Sequence, residues 1–306
     1  MLGMKTYLGW KVDFLQPAGE PAYAGPDSVS WRVFKNPIAL GVGGIAAVLL
    51  EFADARIRSG VWDHSTFKTD PVGRSKRTGM AAMVGVYGPQ SAARRVIQGV
   101  TNMHRQVSGE TPSGEAYSAL DVELLDWVSA TATYGFLTAY DRFVAPLSDA
   151  DKTRFYEEGE AVARLYGVQN PLRSEADFHG MLAKLMPRFE PHPINTEFLD
   201  IMKSGRAAKG VPKGLQSAVV NAAVSILPVA VRERLELGAD YDLRPKGVVT
   251  VKAMGALAER LPLPASPAGQ ACVRLGLPAT FLWKSPEKQA SIRHTIQEGR
   301  AASLAH

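Results

Sequence analysis

The sequence predicts an all-α protein of many helices. Three observations carry that expectation: apolar residues recur at three- and four-residue intervals, almost no segment alternates over a strand's length, and capping residues, Gly and Pro bracket the periodic stretches. The 306 residues are 46% hydrophobic and 21% charged, as in chains able to bury a core. Length alone permits two average domains, yet helical folds can run this long undivided. We expect one helical domain over residues 1–306, with its core at about 28–187 and a helical C-terminal extension at about 188–306.

Taken in order, residues 38–59 read as one buried helix rich in Ala, Leu and Gly, and a polar loop follows around Trp62, His64, Asp70 and Pro71. A second helix starts near Arg74, and its stretch 80–87 is apolar nearly all round, as a core helix should be. Gly88 and Pro89 stop it and start a third, which runs to about Val107 before Ser108 and Gly109. Asp121 caps a long helix through Trp127, Tyr134 and Tyr140 that Pro146 ends. Ser148 with Asp151, and Ser174 with Asp177, resemble capping boxes with Asp in place of Glu. Beyond Pro187 the chain is punctuated by Pro and Gly, with helices expected at about 214–236, 250–260 and 284–300.

Lys and Arg number 35 against 30 Asp and Glu, a formal charge of +5 scattered between apolar positions, so nucleic acid is not an expected partner. The mild basic excess suits an anionic cofactor and a peripheral contact with an acidic membrane equally. One cysteine, Cys272, excludes an intramolecular disulfide framework and any multi-cysteine metal centre. Gly9, Asp13 and Pro17 interrupt what would be a signal-peptide core, and the longest apolar run, 37–50, is too short to span a bilayer. The expected compartment is the cytoplasm.

Of the candidate site residues, His104 stands on an apolar face with Val96, Ile97, Val100, Met103 and Val107. A buried neutral imidazole needs a partner at each ring nitrogen, and a hydrogen-bonded core histidine meets that need more simply than a metal ligand does. Arg74, Lys76, Arg77 and Thr78 crowd a helix start and suit either an anion site or a solvated first turn. Gly41, Gly43 and Ala46 superficially match a dinucleotide fingerprint, but no strand precedes them, and close helix packing is the expected use. Trp127, Tyr134, Phe136 and Tyr140 recur as core aromatics. His64, His179, His192 and His294 show no ligand spacing, and H-E-x-x-H, P-loop and G-x-S-x-G elements are all missing.

Read together, several segments resemble the MpaB-like oxygenases, a family that includes the rubber-cleaving latex clearing proteins. They are Asp27-Ser28-Val29-Ser30-Trp31-Arg32, Gly60-Val61 with Asp63-His64-Ser65 and Asp70-Pro71, and Gly73-Arg74-Ser75-Lys76-Arg77-Thr78. Met103-His104-Arg105-Gln106-Val107, Tyr117-Ser118-Ala119-Leu120 and Leu124-Leu125-Asp126-Trp127-Val128 complete the series. The resemblance implies a globin-like helical fold enclosing a pocket for haem b, with His104 as the iron ligand. Arg74, Arg77 and Thr78 would line the cofactor, Arg77 and Thr78 being the catalytic candidates. Arg77 stands where rubber-cleaving members carry a lysine, and an arginine cannot readily deprotonate to bind iron, so an open or water-occupied distal position is expected. Asp54 and Ser129 stand where many relatives have histidine. The implied function is O2-dependent oxidation or cleavage of a hydrophobic, isoprenoid or alkene-like small molecule. A non-enzymatic haem sensor or carrier, and a relative without haem, remain as alternatives.

Overall fold

The computed structural model describes residues 6–7, 10–67, 69–204 and 212–304. A short antiparallel ribbon of β1 (Thr6–Tyr7) and β2 (Trp10–Lys11) precedes α1 (Val29–Phe34), α2 (Pro37–Phe52), α3 (Ala55–His64), α4 (Pro71–Tyr87) and α5 (Gln90–His104). A second ribbon, β3 (Ser108–Glu110) with β4 (Ala116–Ser118), leads to α6 (Val122–Phe143), α7 (Asp149–Leu165) and α8 (Glu175–Leu185). There follow α9 (Pro193–Lys203), α10 (Lys213–Ser225), α11 (Val229–Arg234), α12 (Pro245–Arg260), α13 (Pro267–Arg274) and α14 (Pro286–Leu304). The protein is all-α, as the periodicity predicts.

Caps explain where helices begin. Asp121 Oδ1 accepts from Glu123 N at 2.9 Å, Ser148 Oγ from Asp151 N at 3.1 Å and Ser174 Oγ from Asp177 N at 3.2 Å, all three as expected. The expected single helix over 38–59 is instead two. Asp54 accepts the backbone N–H of Arg56 at 2.9 Å and so starts α3, while Glu190 N donates to Ala53 O at 3.2 Å across the break. A carboxylate cap inside an apolar run does not interrupt helical periodicity, so the break was hidden. For the same reason Trp62 and His64 lie in α3 and not in a loop. Asp70 accepts from Gly73 N at 2.8 Å, which starts α4 at Pro71, ahead of Arg74.

Two further departures have simple causes. The Ser108–Gly109 stop opens the β3–β4 ribbon, whose three-residue strands are too short to show a period. Pro228 divides the expected 214–236 helix into α10 and α11, because its ring leaves no N–H for a continuing ladder. α9 and α13 were not anticipated. Both carry Pro at the first turn and are capped, α9 by His192 Nδ1 accepting from Ile194 N at 3.2 Å and α13 by Ser266 Oγ accepting from Gly269 N at 3.2 Å.

At the centre lies the pair α2 and α6. A Cβ built on Gly43 would sit 2.7 Å from Gly135 O, and one on Gly135 would sit 2.5 Å from Gly43 O, so only glycine permits this approach. The small-residue string at Gly41, Gly43 and Ala46 thus serves helix packing, as expected. Trp127 Nε1 donates to Leu50 O at 3.1 Å further along the pair, which makes the two helices antiparallel. α10 and α12 pack on α2, and Gly255 of α12 is in similarly close contact with Phe143 O.

Two apolar clusters result. The larger surrounds α2 and α6 with residues of α7 to α12, and the second joins α4, α5, α13 and the segment that includes Phe14 and Trp31. Arg274 holds the second together. Its three guanidinium nitrogens each donate at 2.8 Å, to the carbonyls of Glu20, Phe14 and Tyr87, and burial lowers its pKa.

The Gly43–Gly135 contact gives a first expected outcome. Gly135→Ala must separate two backbones in the core, and should cost about 3 kcal/mol, the upper end for overpacking. Urea denaturation should show a lower midpoint at unchanged slope; an unmoved midpoint would show that the helices can part freely.

Candidate functional site

The seam between the two clusters carries the charged side chains that couple them. From the larger cluster come Glu51, at the end of α2, and Thr131, one turn before Gly135 on α6. From the other side come Arg74 on α4 and His104, the last residue of α5. The hydroxyl of Thr131 lies 3.3 Å from Glu51 Oε1 and 2.9 Å from Val128 O. Burial pushes the Glu51 carboxyl up to about 7, with the Arg74 charge and the Thr131 hydroxyl opposing that rise. Burial lowers the His104 pKa, and the Arg74 charge adds to the lowering. Both groups are thereby biased toward their neutral forms.

His104 is half-buried, not enclosed. Its helical neighbours Val96, Ile97 and Val100 are in the core, whereas Met103 is 44% exposed and Val107 is half-buried. The apolar face expected around His104 therefore holds on its inner side and opens toward the helix end. Across the seam, Val128 leaves 37% of its surface exposed on the otherwise largely buried α6.

Among the described histidines, His104 differs from the other four in its bonding. His64 Nε2 lies 3.1 Å from Tyr117 OH, His192 caps α9, and His179 and His294 lie 3.7 Å and 3.2 Å from Glu175 and Glu298. The ring of His104 has no hydrogen-bond or ion-pair partner among the described residues, although its carbonyl accepts from Val107 N at 3.0 Å. Nor is there any group of three or more His, Cys, Asp or Glu able to hold a metal ion among them.

The remaining sequence candidates are divided. Thr78 is exposed, bonds to the Arg74 guanidinium, and donates to Arg74 O at 3.2 Å. Arg77 bonds to Thr66 and lies 3.7 Å from Asp70 Oδ2, which places its charge at the α3–α4 connection. The structure thus joins His104 with Arg74, joins Thr78 to Arg74, and sets Arg77 beside the loop. Asp54 is buried and committed: Oδ1 accepts from Arg56 Nε at 3.0 Å and Oδ2 from Arg56 Nη2 at 2.7 Å. Ser129 accepts the Thr133 hydroxyl on its carbonyl at 2.8 Å.

Glu51 and Thr131 were missed by sequence reasoning. A lone glutamate at the end of an apolar helix was the available signal, since every other residue from Pro37 to Phe52 is uncharged.

The model of one protein family, described as the ER-bound oxygenase mpaB/B'/rubber oxygenase catalytic domain, matches residues 31–260. The chain belongs to this oxygenase family. Two uncharacterized proteins, one from Mycobacterium bovis and one from Mycobacterium tuberculosis, are each 28% identical to it over 120 residues, a match that covers 38% of this chain and 47% of the relative. The chain thus spans about half the length of the curated relatives it matches. No solved structure matches it. The family match takes in all four residues of the seam, and no helix among the described residues is long and apolar enough to cross a membrane.

Glu51 predicts a pH effect on stability. Its carboxyl moves from an ordinary 4.5 to about 7 on folding, so the folded chain holds the proton more tightly and stability falls as pH rises from 4.5 to about 7. Glu51→Gln removes that loss. Relative to wild type without added cofactor, the variant should gain stability across this window, up to about 3 kcal/mol, and the gain should level off above it. Denaturation midpoints at several pH values check this; a difference that does not vary with pH would contradict it.

Proposed function

We propose that this protein is a haem-b-dependent oxygenase that uses O2 to oxidise or cleave a hydrophobic, isoprenoid or alkene-like small molecule, and that His104 would hold its iron. One observation carries the reading: within the family-matched segment, His104 is the histidine whose ring nitrogens no described side chain or backbone group engages. A ligand imidazole must also be neutral, and burial with the Arg74 charge favours that form. The donor set fits the cofactor. A single nitrogen ligand suits haem, and a guanidinium beside it suits pairing with a propionate.

When bound, haem supplies the redox-active iron at which O2 is activated. The other roles fall to the chain's own groups. His104 fixes the cofactor's position from the end of α5. Arg74 pairs with its carboxylates and is held in place by Thr78, while Arg77 steadies the adjoining loop through Thr66 and Asp70. Glu51, half-protonated near pH 7, holds a proton at its carboxyl, 3.3 Å from the Thr131 hydroxyl. Met103 and Val128 offer apolar surface to a hydrophobic substrate.

The decisive measurement is the absorption spectrum of protein produced with ample haem, compared with His104→Ala. Wild type should carry haem at about one per chain with a Soret band, and the variant should lose or shift that band and regain it with added imidazole. An unchanged spectrum in His104→Ala, or no haem in wild type, overturns the ligand assignment. Product formed from an alkene panel only when O2 is present supports the oxygenase. Reversible O2 binding without product supports a carrier instead.

A further inference from the structure

Of the large apolar side chains among the described residues, four are more than half exposed: Val229 at 71%, Val249 at 69%, Leu257 at 66% and Leu261 at 55%. Three of these lie on α12 or at its C-cap, so the exposure is concentrated and not scattered as on an ordinary surface. Helical spacing places them on one side. Positions 246, 249, 253, 257 and 260 recur at three- and four-residue intervals along the outward arc, opposite the buried Val251 and Gly255.

The charge on that arc has one sign. Lys246 and Arg260 are exposed on it, and Lys252 is exposed at the side of the helix next to Val249. The carboxylate of α12, Glu259, is turned inward: it lies 2.8 Å from Lys35 Nζ and accepts from Tyr140 OH at 3.0 Å and Asn36 Nδ2 at 3.1 Å. Because α12 is anchored through Glu259 to the central pair, its outer face is held as a fixed surface about 24 Å long.

We propose that the outer face of α12 docks this protein onto an anionic lipid surface. Val249, Leu257 and Leu261 enter the boundary between headgroups and acyl chains, while Lys246, Lys252 and Arg260 extend their stems along it and meet lipid phosphates. A second copy of the chain is the poorer occupant, since a two-fold pairing of this face would oppose cations to cations. The inference stands on α12 alone and does not depend on haem at His104.

The test is co-sedimentation of the full chain with phosphatidylcholine vesicles and with vesicles in which part of that lipid is replaced by phosphatidylserine. Wild type should bind the anionic vesicles preferentially, and salt should weaken that binding. Lys252→Gln with Arg260→Gln should lower partitioning by about fivefold for each charge removed. Val249→Ser with Leu257→Ser should abolish it. These positions are exposed, so circular dichroism and thermal midpoints should stay at wild-type values. Binding that ignores lipid charge, binding unchanged in either double variant, or no binding at all overturns the proposal. So does a dimer, seen by sedimentation equilibrium, that dissociates on Leu257→Ser.

Discussion

Two backbones touch where Gly43 meets Gly135, and the positions of the other elements follow from that contact. With no Cβ between them, α2 and α6 approach more closely than side chains would allow, and the antiparallel pair becomes a narrow wall. Trp127 then reaches the carbonyl of Leu50, and Glu51, one residue on, comes beside Thr131. A wider pair would part these groups. The glycine contact therefore does more than fill the core: it decides how deep the carboxyl of Glu51 lies, and depth is the main cause of its raised pKa.

That burial acts in opposite directions on the acid and the base. It raises the carboxyl of Glu51 and lowers the imidazole of His104, since either group would have to carry its charge out of water. Arg74 is coupled to both. The guanidinium cannot give up its charge, so near neutral pH the seam combines a permanent cation with an acid and a base biased toward neutrality. Such a place favours an anionic group near Arg74 over a second cation.

Much of this was legible in the residues. Asp121, Ser148 and Ser174 announced helix starts because a cap is a local interaction between neighbours in sequence. The string at Gly41, Gly43 and Ala46 announced close packing, although not its partner Gly135. What stayed hidden depends on distance. Asp54 begins a helix inside an apolar run, and its identity as a cap shows only when Arg56 and the strand-like contact to Phe189 are seen. The role of Glu51 likewise depends on Thr131 and Arg74, residues far along the chain. The apolar spacing of His104 by itself favoured a core histidine, and only the family resemblance singled it out; the feature that separates it from His64, His179, His192 and His294 is the bonding of those four, and their partners at Tyr117 and the cap of α9 cannot be read from spacing.

Asp54 also bears on the chemistry. The family resemblance implies histidine at this position and at Ser129, and in this chain the Asp54 carboxylate is committed to Arg56. Both carboxylate oxygens of Asp54 face Arg56, and that ion pair continues to Glu123 at 2.8 Å, which links the start of α3 to the start of α6. Asp54 thus acts as a structural joint between the starts of α3 and α6. It fixes the turn immediately after Glu51 and, through Glu123, the end of α6 that carries Thr131. Held between that joint and the Gly43–Gly135 contact, the end of α2 that carries Glu51 is tied to the adjoining helices on both sides.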